Sequence, residues 1–531
     1  MIKGYWVLVL HSHLPFVKHP EYDYFLEEHW LFEAISETYL PLLMNMKKLL
    51  NDGVDFRLTT SVTPPLAEML ADEYLISQYL KHMDKLIELT EKEIVRLKHD
   101  NEFLPVARFY NKKYCELKRF FVEELDCQVL NGYRYFSNLG KVEIITCGAT
   151  HGFLPILSVN KRSVEVQLKV AVETHARHFG KAPNGIWLPE CAFYEGLDDL
   201  LKKYGIKFFF MDTHGVNDGK PQPRYSVYAP VYTPSGIAVF ARDLHSSQQV
   251  WSSVVGYPGD PYYRDFYRDL GYDLDFDYIK PYISPDGIRV FTGLKYYRVT
   301  GYTDDKKAYE PDMAYEKTVS HGIHFHGERV KQIEKLQPVM DRLPMVVSPY
   351  DAELFGHWWY EGQDFLYNVF VEMDKQQLIK AVTPMEYLHM YPQNQIITPC
   401  PSTWGADGYY DVWLNEKNAW IYRHLHTMAD KIEQLANKYY FTKDELTERV
   451  LNQMLRELLL GQSSDWAFLI TMGTAVEYST KRTKEHIYNF NNLLTGFLAN
   501  NTDMRLLEWN EYKNSIFEKI DFRVFASKYV D

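Results

Sequence analysis

Two carboxylates stand in company that acids rarely keep. Glu190 lies within GIWLPECAFYEG (185–196), where nearly every neighbour is apolar. Asp351 lies within SPYDAELFGHWWYEG (348–362), with Trp358, Trp359 and Tyr360 close behind it. Two acids beside aromatic rings are the parts a glycosidase needs: one attacks the anomeric carbon while the other protonates the leaving oxygen. Apolar surroundings disfavour the charged form and keep such a proton donor protonated near neutrality. Either acid can equally be a structural ion-pair partner, and in a chain with 71 Asp and Glu the pair alone decides nothing.

The elements that must hold these acids are short apolar runs at 5–10, 57–62, 142–147, 185–188, 207–211, 237–241, 345–348 and 395–398, with 288–294 as a further candidate. Helix-like stretches such as 162–179 and 196–204 separate several of them, which predicts parallel strands joined by helical crossovers. The residues after each run are telling. His11 and His13 follow the first, His151 the third and Glu190 the fourth. Asp212 and His214, then Arg242 and Asp243, follow the next two. Tyr350 and Asp351, then Trp404 and Asp407, follow the last two. In α/β barrels functional groups come from the carboxyl ends of several strands and converge on one face. Polar loops at strand ends account for Asp and Asn on their own, but less well for His, Arg and Trp.

Two regions break the alternation. Residues 66–141 are Leu-, Lys- and Glu-rich with helical spacing and read as a helical insertion between strands. From about 415 onward long helical patterns return, predicting a C-terminal helical domain. No low-complexity segment, flexible linker or internal repeat is visible.

Bulk properties narrow the function classes. The 531 residues are 46% hydrophobic and 24% charged, as in a globular protein with a substantial core. Aromatics reach 15%, with 41 Tyr and 11 Trp. That excess fits surfaces that stack on sugar rings, or a large aromatic core. A net charge of −13 without a basic tract argues against a nucleic-acid partner. Five scattered cysteines (Cys115, Cys127, Cys147, Cys191, Cys400) predict a reduced, cytoplasmic protein. The apolar start is cut off by His11 and is too short for a membrane span. His11 and His13 have zinc-like spacing, but no HxD or HxxxH companion stands beside them, so neither metal nor cofactor is expected. The stretch 262–277 is either an outer sugar subsite or a solvated loop.

The segments HSHLPF, GATHGFLP, GIWLPECAFYEG, SPYDAELFGHWWYEG and SSDWAFLITMGTAVEYSTKRTKEH resemble, in order, the five sequence regions of glycoside hydrolase family 57. The resemblance covers nearly the whole chain and is nearest to the 1,4-α-glucan branching enzymes and related α-amylases. It implies an incomplete (β/α)7 barrel over 1–410, the insertion at 66–141, a helical domain at 411–531 completing the cleft, and retaining double displacement without metal. It casts Glu190 as nucleophile and Asp351 as acid/base. Arg242, Gly259, Trp404 and Asp465 match substrate-binding positions, and His11, His13 and His151 match histidines around the scissile bond. Trp251, Trp413 and Trp466 are candidate stacking platforms.

Branching members carry a long loop with an aromatic tip before VFARD. Here the loop is short, with Tyr225, Tyr228 or Tyr232 as substitutes. The expected activity is α-glucan branching. An α-amylase-like or 4-α-glucanotransferase outcome, a metal-dependent carbohydrate enzyme and a non-catalytic glucan-binding scaffold are the competing readings. His151 and Arg242 are the expected donors that hold Glu190 ionised.

Overall fold

The computed structural model describes residues 1–252 and 256–529. Its centre is a wall of parallel strands. These are β1 (Gly4–Ser12), β2 (Leu58–Val62), β3 (Val142–Ile145), β4 (Gly185–Ile186), β5 (Phe208–Met211), β7 (Ala238–Ala241) and β8 (Met345–Asp351), with short β6 (Val231–Tyr232) and β9 (Ile379–Ala381) at its margins. One sheet runs β3-β2-β1-β8 with β9 added to β1; the other runs β4-β5-β7-β6. A parallel bridge between Thr146 and Ile186 joins them at one seam. At the other seam the Asp243 amide donates to the Val347 carbonyl at 2.9 Å, and among the described residues no ladder completes the closure. The result is the expected incomplete (β/α)7 barrel.

Alternation along the strands decides what faces the axis. Tyr5, Val7 and Val9 pack with Ile145, Trp187, Phe208, Phe210, Phe240, Met345 and Val347 in one interior cluster, while Trp6, Leu8 and Leu10 pack outward. Extending this period of two past the strand ends points His11, His13, Asp212, Arg242 and Asp351 along the axis. It sends Asp243 and Tyr350 the other way. Asp243 caps the helix Leu244–Trp251, and the Tyr350 hydroxyl donates to the Ser246 carbonyl at 2.9 Å.

Two sequence expectations for strands change. Residues 395–398 form only isolated bridges, Tyr232 with Ile396 and Lys220 with Thr398, so this run is a connector to Trp404. The candidate at 288–294 is not a strand. The unforeseen β9 is three residues long with exposed Lys380 at its centre, too short to announce itself by periodicity.

Between β2 and β3 the chain is helical, including Glu73–Arg96, Leu104–Arg119 and Val129–Asn138. The C-terminal domain comprises the helices Trp420–Lys438, Glu445–Gly461, Ser464–Met472, Val476–Leu498 and Met504–Lys513. It docks through backbone: Ser463 bridges Gly152, and the Ser464 amide donates to the His151 carbonyl at 3.0 Å. Among the described residues no helix is long and apolar enough to cross a membrane. All five cysteines are free.

The stretch 262–277 is anchored by buried charges, leaves Tyr267 exposed, and stacks Phe266 on Trp358 at 4.6 Å. Asp269 is fully buried and accepts from the amides of Gly271, Thr292 and Gly293, and Arg264 pairs with Glu37 at 3.0 Å.

Candidate active site

A cavity of about 670 Å³ opens at the carboxyl ends of the strands, between the barrel and the helix Ser464–Met472. It is lined by His11, His13, His151, Glu190, Arg242, Trp251, Asp351, Trp404, Trp413 and Asp465. Residues separated by hundreds of positions in sequence therefore meet in one place, which strand ends on a common face make possible.

Glu190 sits just past β4 in a left-handed backbone conformation (φ 62°), as do Cys191 (φ 51°) and His151 (φ 57°). For residues with a Cβ this costs free energy and persists only where surrounding bonds impose it. They do so here. The Trp404 amide donates to the Glu190 carbonyl at 3.1 Å, and Phe193 exchanges backbone bonds with Ser402. The carboxylate is held as firmly: Trp404 Nε1 lies 3.0 Å from Oε2 and Ser464 Oγ 2.8 Å from Oε1. Neither donor is the one expected. Arg242 instead pairs with Asp212 at 2.5 Å, and His151 Nδ1 stands 3.6 Å from Glu190 Oε1. Burial raises the Glu190 pKa and these two donors oppose it, leaving a net rise rather than the expected depression.

Asp351 ends β8 opposite His11 in the register. Burial pushes its carboxyl well above the usual range, the Glu353 and Glu190 carboxylates push the same way, and Arg242 offsets only part. Glu353 was missed by the sequence reading. It lies two residues on, lines the same cavity, and its Oε1 accepts from the Tyr39 hydroxyl at 2.5 Å and the His13 amide at 3.2 Å. The only sequence signal was its place in DAE, where an acid after an acid is easily read as a solvated turn.

Asp465 comes from the C-terminal domain, and its carboxylate lies 3.0 and 3.1 Å from His13 Nε2. Burial acts to raise Asp465, but the charge and hydrogen bond of His13 outweigh it and hold the acid below its usual range. Burial likewise opposes charge on His13, yet Asp465 raises its pKa overall. The His13 ring stacks on His151 at 3.9 Å. Burial and the neighbouring histidines depress both His11 and His151.

His13, His151 and Asp465 bring ligand atoms within 4.8 Å of one another, as do His11, Cys147 and His151. Every ring nitrogen of the three histidines already has a partner: Ser61 and His151 for His11, Thr63 and Asp465 for His13, Ser464 and His11 for His151. A metal ion would have to displace these bonds.

The remaining expected residues divide. Trp251 and Trp413 line the cavity, Trp413 stacked on Phe153 at 4.8 Å. Exposed Trp358 and Phe468 line it as well and went unnamed as platforms. Trp466 does not belong there: it is 1% exposed, and its Nε1 donates to the Leu460 carbonyl inside the helical domain. Gly259 ends a short turn (Tyr257–Gly259) away from the lining. Asp407 also lies off the cavity, in a turn with φ 59°. Tyr225, Tyr228 and Tyr232 are absent from the lining too. The Tyr228 carbonyl accepts from the Met345 amide at the start of β8, so this segment runs past the opposite end of the barrel.

The model of glycosyl hydrolase family 57 matches residues 7–344, and that of the 1,4-alpha-glucan branching enzyme C-terminal region matches 424–525. A 1,4-alpha-glucan branching enzyme of Thermococcus kodakarensis is 32% identical, across 99% of this chain and 79% of its own length. The crystal structure of the alpha-amylase AmyC from Thermotoga maritima superposes with a TM-score of 0.94 at 46% identity, covering 100% of both chains. A branching enzyme from Pyrococcus horikoshii superposes with a TM-score of 0.89 at 34% identity, covering 99% of this chain and 97% of the other. With a family match over more than half its length, and relatives that share its whole fold, the chain is an enzyme of glycosyl hydrolase family 57.

Proposed function

We propose that the protein is a retaining 1,4-α-glucan branching enzyme. The branching outcome is supported by the match of 424–525 to the 1,4-alpha-glucan branching enzyme C-terminal region, and the retaining chemistry by the contrast between two carboxylates on one cavity. Glu190 has a donor on each oxygen, whereas half-buried Asp351 faces two other acids. A donor-held carboxylate is suited to attack, and a donor-poor one to retain its proton until the leaving oxygen needs it. Glu190 attacks the anomeric carbon of an α-1,4 linkage as Asp351 protonates the departing chain. Asp351, now a base, takes the proton of a 6-hydroxyl, whose oxygen displaces Glu190 and leaves an α-1,6 branch.

A second reading, α-amylase-like hydrolysis through the same intermediate, is favoured by one observation. No tyrosine of the segment before β7 reaches the cavity to shield the intermediate from water. The likeness to AmyC supports it too. Incubation with amylose, followed by proton NMR of new α-1,6 linkages against new reducing ends, separates the two. Branch signals exceeding reducing ends support branching; reducing ends alone overturn it.

A further inference from the structure

Ser464 Oγ, 2.8 Å from Glu190 Oε1, has one proton to give. A carboxylate needs a donor, so that proton points at Glu190 and the hydroxyl must accept its other bond. His151 Nδ1 lies 2.8 Å from the same oxygen and is therefore the protonated nitrogen of that ring. His151 is buried against the stacked His13, which keeps it neutral, so its Nε2 carries only a lone pair. That lone pair meets His11 Nε2 at 3.0 Å, which places the His11 hydrogen on Nε2. His11 Nδ1 is then an acceptor, and Ser61 Oγ stands 2.6 Å away as its donor.

The register explains why Ser61 is there. Ser61 on β2 is paired directly with His11 on β1, on the inward-facing side of both strands. Ser61 is fully buried and does not line the cavity. We propose that Ser61, His11, His151 and Ser464 form one directed hydrogen-bond chain that ends on Glu190, fixing the tautomer of both histidines and the orientation of that carboxylate. The chain rests on the reading of Glu190 as nucleophile only for its kinetic consequence. It makes Ser61 a positioning residue and gives the C-terminal domain, through Ser464, one of the two bonds on Glu190.

Directed chains of this kind strengthen each bond by polarising the next. Removing Ser61 leaves His11 free to adopt the opposite tautomer, with Nδ1 protonated. His151 would then have no partner proton, and the two Nε2 lone pairs would face each other. The other charged or titratable groups around Glu190 are Asp465 and His13, Asp351 with Glu353, Arg242 with Asp212, Tyr422, Cys191, and Cys147, whose thiol also lies within 4.8 Å of His11 and His151. Ser61 bonds His11 and has no hydrogen bond or ion pair with any of them, so its removal reports on the chain.

The test begins with the intact protein, labelled with ¹⁵N-histidine, and needs no substrate. Long-range ¹H–¹⁵N correlations should show His11 protonated at Nε2 and His151 at Nδ1. Either ring in the other tautomer, or a cationic ring at neutral pH, overturns the proposal. Ser61→Ala should then change the His11 signals. It should also move the acid limb of kcat/KM to higher pH, with KM little altered. Ser464→Ala, which removes the donor itself, should shift that limb further, by about one to two pH units. Unchanged signals and profile in a folded Ser61→Ala also overturn it. Failure of the nucleophile assignment would appear separately, as an active Glu190→Gln variant with the histidine tautomers as assigned.

Discussion

At the scale of residues, the site depends on two acids made unlike by their partners. Glu190 meets Trp404 and Ser464, whereas Asp351 meets mainly other acids. If Asp351 is the proton donor, its loss should matter in proportion to how badly the leaving group needs a proton. Asp351→Asn is expected to lose about 10²–10⁴-fold in turnover on amylose, the usual contribution of general acid–base catalysis. The deficit should shrink for formation of the glycosyl-enzyme from a maltoside of an acidic phenol, read as a burst of phenolate. An equal loss on both substrates would argue that Asp351 acts only by position. Glu353 belongs to this scale too, because a further carboxylate beside Asp351 raises the cost of negative charge there.

At the scale of elements, the helix Ser464–Met472 joins chemistry to packing. Successive residues at its start have different fates: Ser464 bonds Glu190, Asp465 bonds His13, and Trp466 turns into the helical domain. Helical geometry separates neighbouring side chains by about 100°, so residues adjacent in sequence need not share a face. Trp466 therefore holds the element in place rather than stacking on sugar. Trp466→Ala should lower unfolding free energy by about 3–5 kcal/mol, as buried Trp truncations do. A chemical denaturation curve measures this, and KM for glucan should move little at temperatures where the variant is folded. A large rise in KM with unchanged stability would restore the platform reading.

At the scale of the whole molecule, the Asp465–His13 pair ties the helical domain to the barrel. Asp465 is depressed in the folded state, so its contribution is present above the unfolded value, about 3.9, and is lost as pH falls through the folded one. His13 is raised, so its contribution is full below about 6.5 and is lost as pH rises through the folded value. The pair should stabilise most between about pH 4 and 6.5. Asp465→Asn should be most destabilising in that window, by about 3–5 kcal/mol if the remaining charge stays buried. Denaturation midpoints across pH check this; a deficit independent of pH would mean that packing, not charge, couples the domains.

The sequence by itself determined the parts and their order. Apolar runs, polar residues at their carboxyl ends and the helical stretches made the barrel legible, because strand burial and helix amphipathicity are written in local periodicity. Glu190, Asp351, His11, His13, His151, Arg242, Trp404 and Asp465 were legible as candidates, and they line one cavity. Only the tertiary structure decided who partners whom. Ser464 and Trp404, not His151 and Arg242, hold Glu190 directly; Arg242 is committed to Asp212; and Ser61 reaches the site only through a histidine on the next strand. Those bonds join residues up to hundreds of positions apart. No local pattern encodes them, because they depend on the angle at which the helical domain meets the barrel and on the register between strands.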